Sequence, residues 1–99
     1  MPFDPAYEVP MNRVKVERRL GEGAFGLVFG GTAAHLPGGI AGPLPVAVKT
    51  LRASSSEDDV VAFVQAIEMM KFVGKHENVI QLYATSNYDG GLRSIVPIR

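Results

Sequence analysis

A glycine-rich stretch between two strand-like segments constrains the fold of this chain more than any other feature. Residues 14–19 alternate apolar with charged side chains, which predicts a β-strand with one apolar face. Residues 27–29 (Leu-Val-Phe) predict a second strand, and Gly21, Gly23 and Gly26 lie between the two. This part of the chain is therefore predicted to form a hairpin whose glycine-rich turn lets backbone amides approach a ligand without side chains in the way.

One helix and one further strand follow the hairpin in the sequence. Residues 46–51 form a short apolar run, which predicts a third strand that is buried by composition. Residues 57–73 carry apolar side chains at helical spacing and predict a helix that ends at Gly74. Ser56 followed three residues later by Asp59 resembles a capping box, which is typical of a helix N-terminus.

The remaining segments complete the predicted organisation. Residues 79–84 and 92–96 predict a fourth and a fifth strand joined by a turn at 88–91, and residues 33–45 predict a mobile loop. Residues 1–12 are predicted to be an irregular leader, and residues 13–99 a single domain. We therefore predict an α+β fold, with a curved antiparallel sheet of five strands and one helix packed against it.

Composition excludes several function classes. Ten basic residues balance ten acidic ones, so nothing in the net charge favours nucleic acid or a membrane surface as a partner. The absence of cysteine excludes disulfides and thiolate metal sites, and no metal site is predicted. The sequence has no signal peptide and no apolar run near the roughly 20 residues of a membrane helix. A soluble chain in the cytoplasm is therefore expected.

The glycine-rich turn and one lysine together indicate a phosphate site. A dinucleotide-binding fingerprint needs a helix after its glycines and an acid about 20 residues on, where this chain has a strand and Val46. A plain hairpin turn remains the alternative for the glycines alone. Lys49, however, follows three apolar residues in the third strand, and a buried ammonium group needs a partner. We expect Lys49 to be buried beneath the turn, where a phosphate chain would be its partner.

These two segments resemble the small lobe of protein kinases. The glycine pattern of residues 21–28 is similar to the loop that covers ATP phosphates, and residues 46–49 resemble the strand carrying the phosphate-binding lysine. Residues 4–10, 67–71 and 74–80 resemble receptor tyrosine kinases of the fibroblast-growth-factor-receptor group. The resemblance covers nearly the whole chain.

The resemblance implies ATP as the ligand and assigns roles to ten residues. The glycine loop would cover the phosphates with Phe25 at its tip, apolar side chains would enclose adenine, and Lys49 would hold the phosphates as the catalytic lysine. The implied nucleotide-binding residues are Leu20, Gly21, Glu22, Gly23, Ala24, Phe25, Gly26, Val28, Ala47 and Lys49. Met70 would belong to the apolar column linking helix and sheet. Mg²⁺ is expected only with the acids of a C-terminal lobe.

The sequence departs from the kinase pattern in two ways. Ala66 stands where the resemblance implies the glutamate that pairs with the lysine, and Glu68, two residues on, points elsewhere on a helix. No His-Arg-Asp or Asp-Phe-Gly motif occurs, so the hinge and the C-terminal lobe are expected to be missing.

Two functions follow as expectations. The first is the ATP-binding lobe of a protein tyrosine kinase, the parent being a single-pass receptor with this part on the cytoplasmic side. The second is a non-catalytic, pseudokinase-like or truncated fragment that binds proteins or has no function. The 99-residue chain itself is expected to be inactive and to self-associate through its exposed lobe interface.

Overall fold

The computed structural model describes residues 6–76, 82–88 and 91–97, which form five strands and two helical elements. A short 3-10 helix, Met11–Arg13, precedes the strands. The strands are β1 (Val14–Glu22), β2 (Leu27–Ala33), β3 (Leu44–Thr50), β4 (Ala84–Tyr88) and β5 (Gly91–Pro97), and the helix α1 (Glu57–His76) lies between β3 and β4. The predicted α+β class and the order of three strands, one helix and two strands are confirmed.

The strands form one antiparallel sheet in the order β1-β2-β3-β5-β4. The hairpin of β1 and β2 carries two register shifts, each of which adds a residue to β1 and bends it. β5 returns between β3 and β4, so that Lys49 lies opposite Ser94 and Val48 opposite Ile95. The chain segment that carries the candidate lysine is therefore held on both sides, by β2 and by β5.

Each face of the sheet has its own apolar core. On one face, α1 packs Phe63 and Ile67 against Ala47 and Val96. On the other face, the strands bury Val46, Val48, Ala84 and Ile95 under the segments that flank β1 and β2. Val46 and Val48 belong to one core and Ala47 to the other, because successive side chains of a strand point to opposite faces.

The segment before β1 and the segment after β2 both pack on the sheet. Val9 is 2% exposed, and its amide donates a 2.9 Å hydrogen bond to the carbonyl oxygen of Thr85 on β4. Leu36 is 4% exposed in the same core, within the predicted loop of residues 33–45. The described part of the predicted leader contains the start of the 3-10 helix, and it pairs with the edge strand β4 at Glu8.

Several element boundaries differ from prediction. α1 continues through Gly74 to His76, although glycine costs a helix roughly 1 kcal/mol relative to alanine. β4 begins at Ala84, whereas the fourth strand was predicted over residues 79–84, of which 79–81 lie outside the described residues. β3 begins at Leu44, two residues before the predicted start at residue 46. Residues 89 and 90 of the predicted turn lie outside the described residues. No helix within the described ranges is long and apolar enough to cross a membrane.

The predicted capping box forms at the start of α1. The amide of Asp59 donates to Ser56 Oγ at 3.1 Å, and the amide of Ser56 donates to Asp59 Oδ2 at 3.2 Å. Two amides that the helix leaves unpaired are thereby satisfied.

Loss of this cap gives a first prediction. Ser56→Ala is expected to lower the free energy of unfolding by about 1 kcal/mol, because it leaves the Asp59 amide without its acceptor. Ser54→Ala is the control, since the Ser54 side chain is exposed and makes none of the described hydrogen bonds. Urea unfolding followed by circular dichroism measures both. Equal effects of the two substitutions would contradict the role of the cap.

Candidate functional site

A cavity of about 230 Å³ lies between the glycine loop (residues 21–26), β3 and α1. The loop and the strands contribute Gly23, Ala24, Phe25, Gly26, Val28, Lys49, Thr50 and Ser94. The helix contributes Phe63, Ala66, Ile67 and Met70. The fold thus brings the predicted lysine, most of the predicted loop and one face of the helix around a single space.

Four of the ten predicted nucleotide-binding residues do not line this cavity: Leu20, Gly21, Glu22 and Ala47. Val28 lies opposite Lys49 and Gly30 opposite Ala47, so these side chains share the face of the sheet that carries the cavity. A Cβ atom at Gly30 would lie 3.3 Å from Leu20 Cδ1, which places Leu20 over the same face. Leu20 is 46% exposed, and the apolar surface formed with Val28 and Ala47 is open to solvent on that side.

The glycine loop is fastened to the segment after β3 by Arg52. The guanidinium of Arg52 donates to the carbonyl oxygens of Ala24 at 3.1 Å and Gly23 at 3.3 Å, and its backbone amide donates to Phe25 at 2.9 Å. Arg52 also forms an ion pair with Glu22 at 3.7 Å. Sequence reasoning missed this residue, because nothing local in the sequence shows that its backbone and side chain meet the loop.

Gly26 lies where the loop touches β3. A Cβ atom there would lie 2.6 Å from the carbonyl oxygen of Thr50 and 2.9 Å from the amide nitrogen of Arg52, so a side chain would separate loop and strand. The hydroxyl of Thr50 donates to the carbonyl oxygen of Leu27 at 2.9 Å, which reinforces the same contact. The third glycine of the motif is therefore required by close backbone approach.

Lys49 is exposed, and the prediction that its ammonium is buried is wrong. Its neighbour Val48 points into the core on the other face, whereas Lys49 points to the face where the cavity opens to solvent. It nevertheless lines the cavity together with the glycine loop. Among the described residues it forms no ion pair with a carboxylate.

Ala66 lines the same cavity as Lys49. The helix position at which the kinase pattern implies a glutamate therefore lies on the same cavity as the lysine, and in this chain it offers only a methyl group. Glu68 does not line the cavity, and its carboxylate pairs with Lys71 at 2.8 Å. Glu68 is thus engaged elsewhere on α1.

Phe25 is turned inward from the loop tip. Its ring meets the ring of Phe63 edge to face, with centroids 5.3 Å apart and planes at 78°. This contact ties the loop to α1 and closes the cavity at one end. The inward position could not be read from the sequence, because it depends on the long-range approach of the loop to the helix.

Comparisons with known proteins agree with this geometry. The family model for protein tyrosine and serine/threonine kinases matches residues 14–97. Fibroblast growth factor receptor 1 of Dugesia japonica is 42% identical over 98 residues, which cover 98% of this chain and 11% of the receptor. The fibroblast growth factor receptor of Hydra vulgaris is 43% identical over 93 residues, covering 94% of this chain and 11% of the receptor. Fibroblast growth factor receptor 1 of Xenopus laevis is 39% identical over 100 residues, which cover 97% of this chain and 12% of the receptor.

The chain spans only 11% to 12% of the length of these curated relatives, and its matched region contains the whole sheet and α1. The family uses ATP, which agrees with a site built from a glycine loop and a lysine. The chain belongs to the protein tyrosine and serine/threonine kinase family, and its fold is the small N-terminal lobe of a kinase domain of the fibroblast-growth-factor-receptor type.

Proposed function

We propose that this chain is the ATP-binding lobe of a cytoplasmic protein tyrosine kinase domain, which transfers the γ-phosphoryl group of ATP to protein tyrosine. The observation that carries the proposal is the position of Lys49 and the glycine loop on one cavity. An ammonium group and backbone amides without backbone partners around one space are what a phosphate chain requires.

The residues around the cavity fit a nucleotide in charge and in polarity. Within the described part of the chain, the amides of Ala24 and Phe25 donate no hydrogen bond to another backbone group, so both are available to an anion. Lys49 has no carboxylate partner there that would compete with phosphate. Leu20, Val28 and Ala47 offer an apolar surface beside the loop, which suits an adenine ring.

Magnesium would be held mainly by residues of the C-terminal lobe. Kinases bind it through an aspartate and an asparagine of motifs that this sequence does not contain. Among the described residues, no three His, Asp or Glu side chains are grouped closely enough to hold a metal ion. We therefore propose that this lobe contributes the phosphate contacts and that the remainder of a kinase domain contributes the metal and the base.

Stabilisation by Mg-ATP tests the nucleotide site. We expect the melting temperature of the chain to rise modestly with millimolar Mg-ATP, because a ligand at a concentration equal to its Kd stabilises the fold by about 0.4 kcal/mol. The rise should disappear in Lys49→Met and persist in Lys15→Met, which removes the same charge from an exposed position on β1. Affinity is expected to be weak, since kinases bind ATP between two lobes. A rise that survives in Lys49→Met, or no rise in the unmodified chain, would contradict the proposal.

A second candidate is a non-catalytic lobe that binds a protein partner or a second copy of itself. Ala66 favours it, because without the glutamate partner the lysine lacks the ion pair of an active kinase. Val61, Met69 and Phe72 of α1 are 54–60% exposed and would supply apolar surface for such a partner.

Incubation with radiolabelled ATP and a tyrosine-containing polymer measures whether the 99-residue chain transfers phosphate without the rest of a kinase domain. We expect no transfer of phosphate to tyrosine, since neither a base nor a metal-binding motif occurs in its sequence. Transfer that is lost in Lys49→Met would show that the chain is catalytic by itself.

A further inference from the structure

The cavity combines a single positive charge with an apolar wall. Phe25 of the loop and Phe63, Ile67 and Met70 of α1 line it with aromatic and aliphatic groups. Among the described residues, Lys49 is the only charged side chain in the lining. Water hydrogen-bonds poorly to such a wall, so an apolar group that displaces it gains free energy.

No described carboxylate neutralises Lys49 from within the cavity. The part of the lining that the structure describes contains no Asp or Glu. The carboxylate of Glu68 pairs with Lys71 at 2.8 Å, and that of Glu22 lies 3.7 Å from Arg52. On the helix side, Ala66 contributes a small side chain that carries no charge. Among the described residues, the positive charge of Lys49 therefore has no negative partner in the cavity.

The volume is sufficient for an aromatic ring with a short acidic arm. A cavity of roughly 150 Å³ lined by Leu, Ile and Phe admits a benzene ring. The present cavity measures about 230 Å³, which leaves room for a carboxylate attached to the ring. Phe63 and Ile67 are only 3% and 4% exposed. A ligand ring would therefore meet mainly the half-buried side chains of Phe25 and Met70, of which Phe25 offers an aromatic partner.

We propose that this cavity binds an aromatic monocarboxylate of the arylacetate class, with the carboxylate at the Lys49 ammonium and the ring against Phe25 and Met70. The ligand supplies from outside the negative charge that the helix lacks at Ala66. The proposal depends on the cavity and on Lys49, and it does not require that ATP binds.

Phenylacetate is the probe, and chemical-shift changes of the isotope-labelled chain measure its binding. Saturable changes are expected at residues lining the cavity. Benzyl alcohol, which has a similar ring and no charge, should bind at least about tenfold more weakly, because the charge-assisted contact to Lys49 is lost. No saturable change with phenylacetate up to roughly 10 mM, an affinity of about 3 kcal/mol, would overturn the proposal.

Ala66→Glu provides the sharpest variant. It places a carboxylate inside the cavity, so phenylacetate affinity should fall at least about tenfold. Gln65→Glu is the matched control, because Gln65 is exposed, does not line the cavity and receives the same added charge. Phenylacetate binding that is equally strong in Ala66→Glu and in the unmodified chain would contradict the proposal.

A second pair of variants covers the case in which Ala66→Glu does not fold. Lys49→Met should abolish phenylacetate binding while Lys15→Met retains it, and both lysines are exposed, so neither substitution disturbs the core. Retained binding in Lys49→Met would also overturn the proposal.

Mg-ATP added to the same samples separates this inference from the proposed function. In Ala66→Glu, an internal partner orients Lys49 as in active kinases, so Mg-ATP binding should be kept or strengthened while phenylacetate binding is lost. Failure of ATP to bind anywhere, with phenylacetate behaving as described, would remove the nucleotide proposal and leave this one standing.

Discussion

Replacing Ile95 by alanine is expected to lower the free energy of unfolding by about 2–5 kcal/mol. Ile95 is fully buried on β5, with Val48 of β3 opposite it on one side and Ala84 of β4 on the other. Truncation removes its contacts with both neighbouring strands and leaves a space that rigid strands cannot close. Domains of this size bury a modest fraction of their surface, so such a loss is a large part of the total stability.

Urea unfolding of the variant and of a control measures this effect. Val61→Ala is the control, because Val61 is 54% exposed on α1 and its truncation is expected to change stability by no more than about 0.5 kcal/mol. Similar losses in the two variants would show that Ile95 is not buried between β3 and β4.

Gly31→Ala is expected to cost about 3 kcal/mol, at the upper end of the range for overpacking. Gly31 lies in β2 between Val16 of β1 and Val46 of β3. A Cβ atom there would overlap the carbonyl oxygen of Lys15 and lie 2.9 Å from its carbonyl carbon. Because the obstructing atoms belong to the backbone, no change of side-chain rotamer relieves the contact, and β1 must move away from β2.

Gly21→Ala is the matched control for this substitution. Gly21 also lies in the hairpin, but a Cβ atom there has no heavy atom within 4 Å. Its stability is expected to change by no more than about 0.5 kcal/mol. If Gly31→Ala were tolerated as well as Gly21→Ala, the described pairing of β1 with β2 would be incorrect.

Much of the fold could be predicted because it depends on residues close together in the sequence. The capping box of Ser56 and Asp59 needs only a three-residue spacing, and the hairpin needs two strands joined by glycines. The position of β5 between β3 and β4 could not be read in this way, because any strand could pair with any exposed edge. The packing of Val9 on β4 was also not predicted, since it joins residues far apart in the chain.

At the site, the sequence indicated which residues would meet but not how they would lie. The motifs predicted that the glycine loop and Lys49 lie close together, and both line one cavity. Burial of Lys49 was inferred from its apolar neighbours, and this failed because those neighbours belong partly to the other face of the sheet. The hydrogen bonds from Arg52 to the glycine loop and the inward position of Phe25 depend on side chains that meet only after the strands have paired.

A titration of the isotope-labelled chain with Mg-ATP, followed by amide chemical shifts, tests the central claim most directly. If the loop and the lysine bind the phosphates, the largest shift changes should occur at residues 23–26 and at Lys49, and Lys49→Met should remove them. Nucleotide binding that shifts residues away from this cavity, with residues 23–26 unchanged, would contradict the assignment of the site.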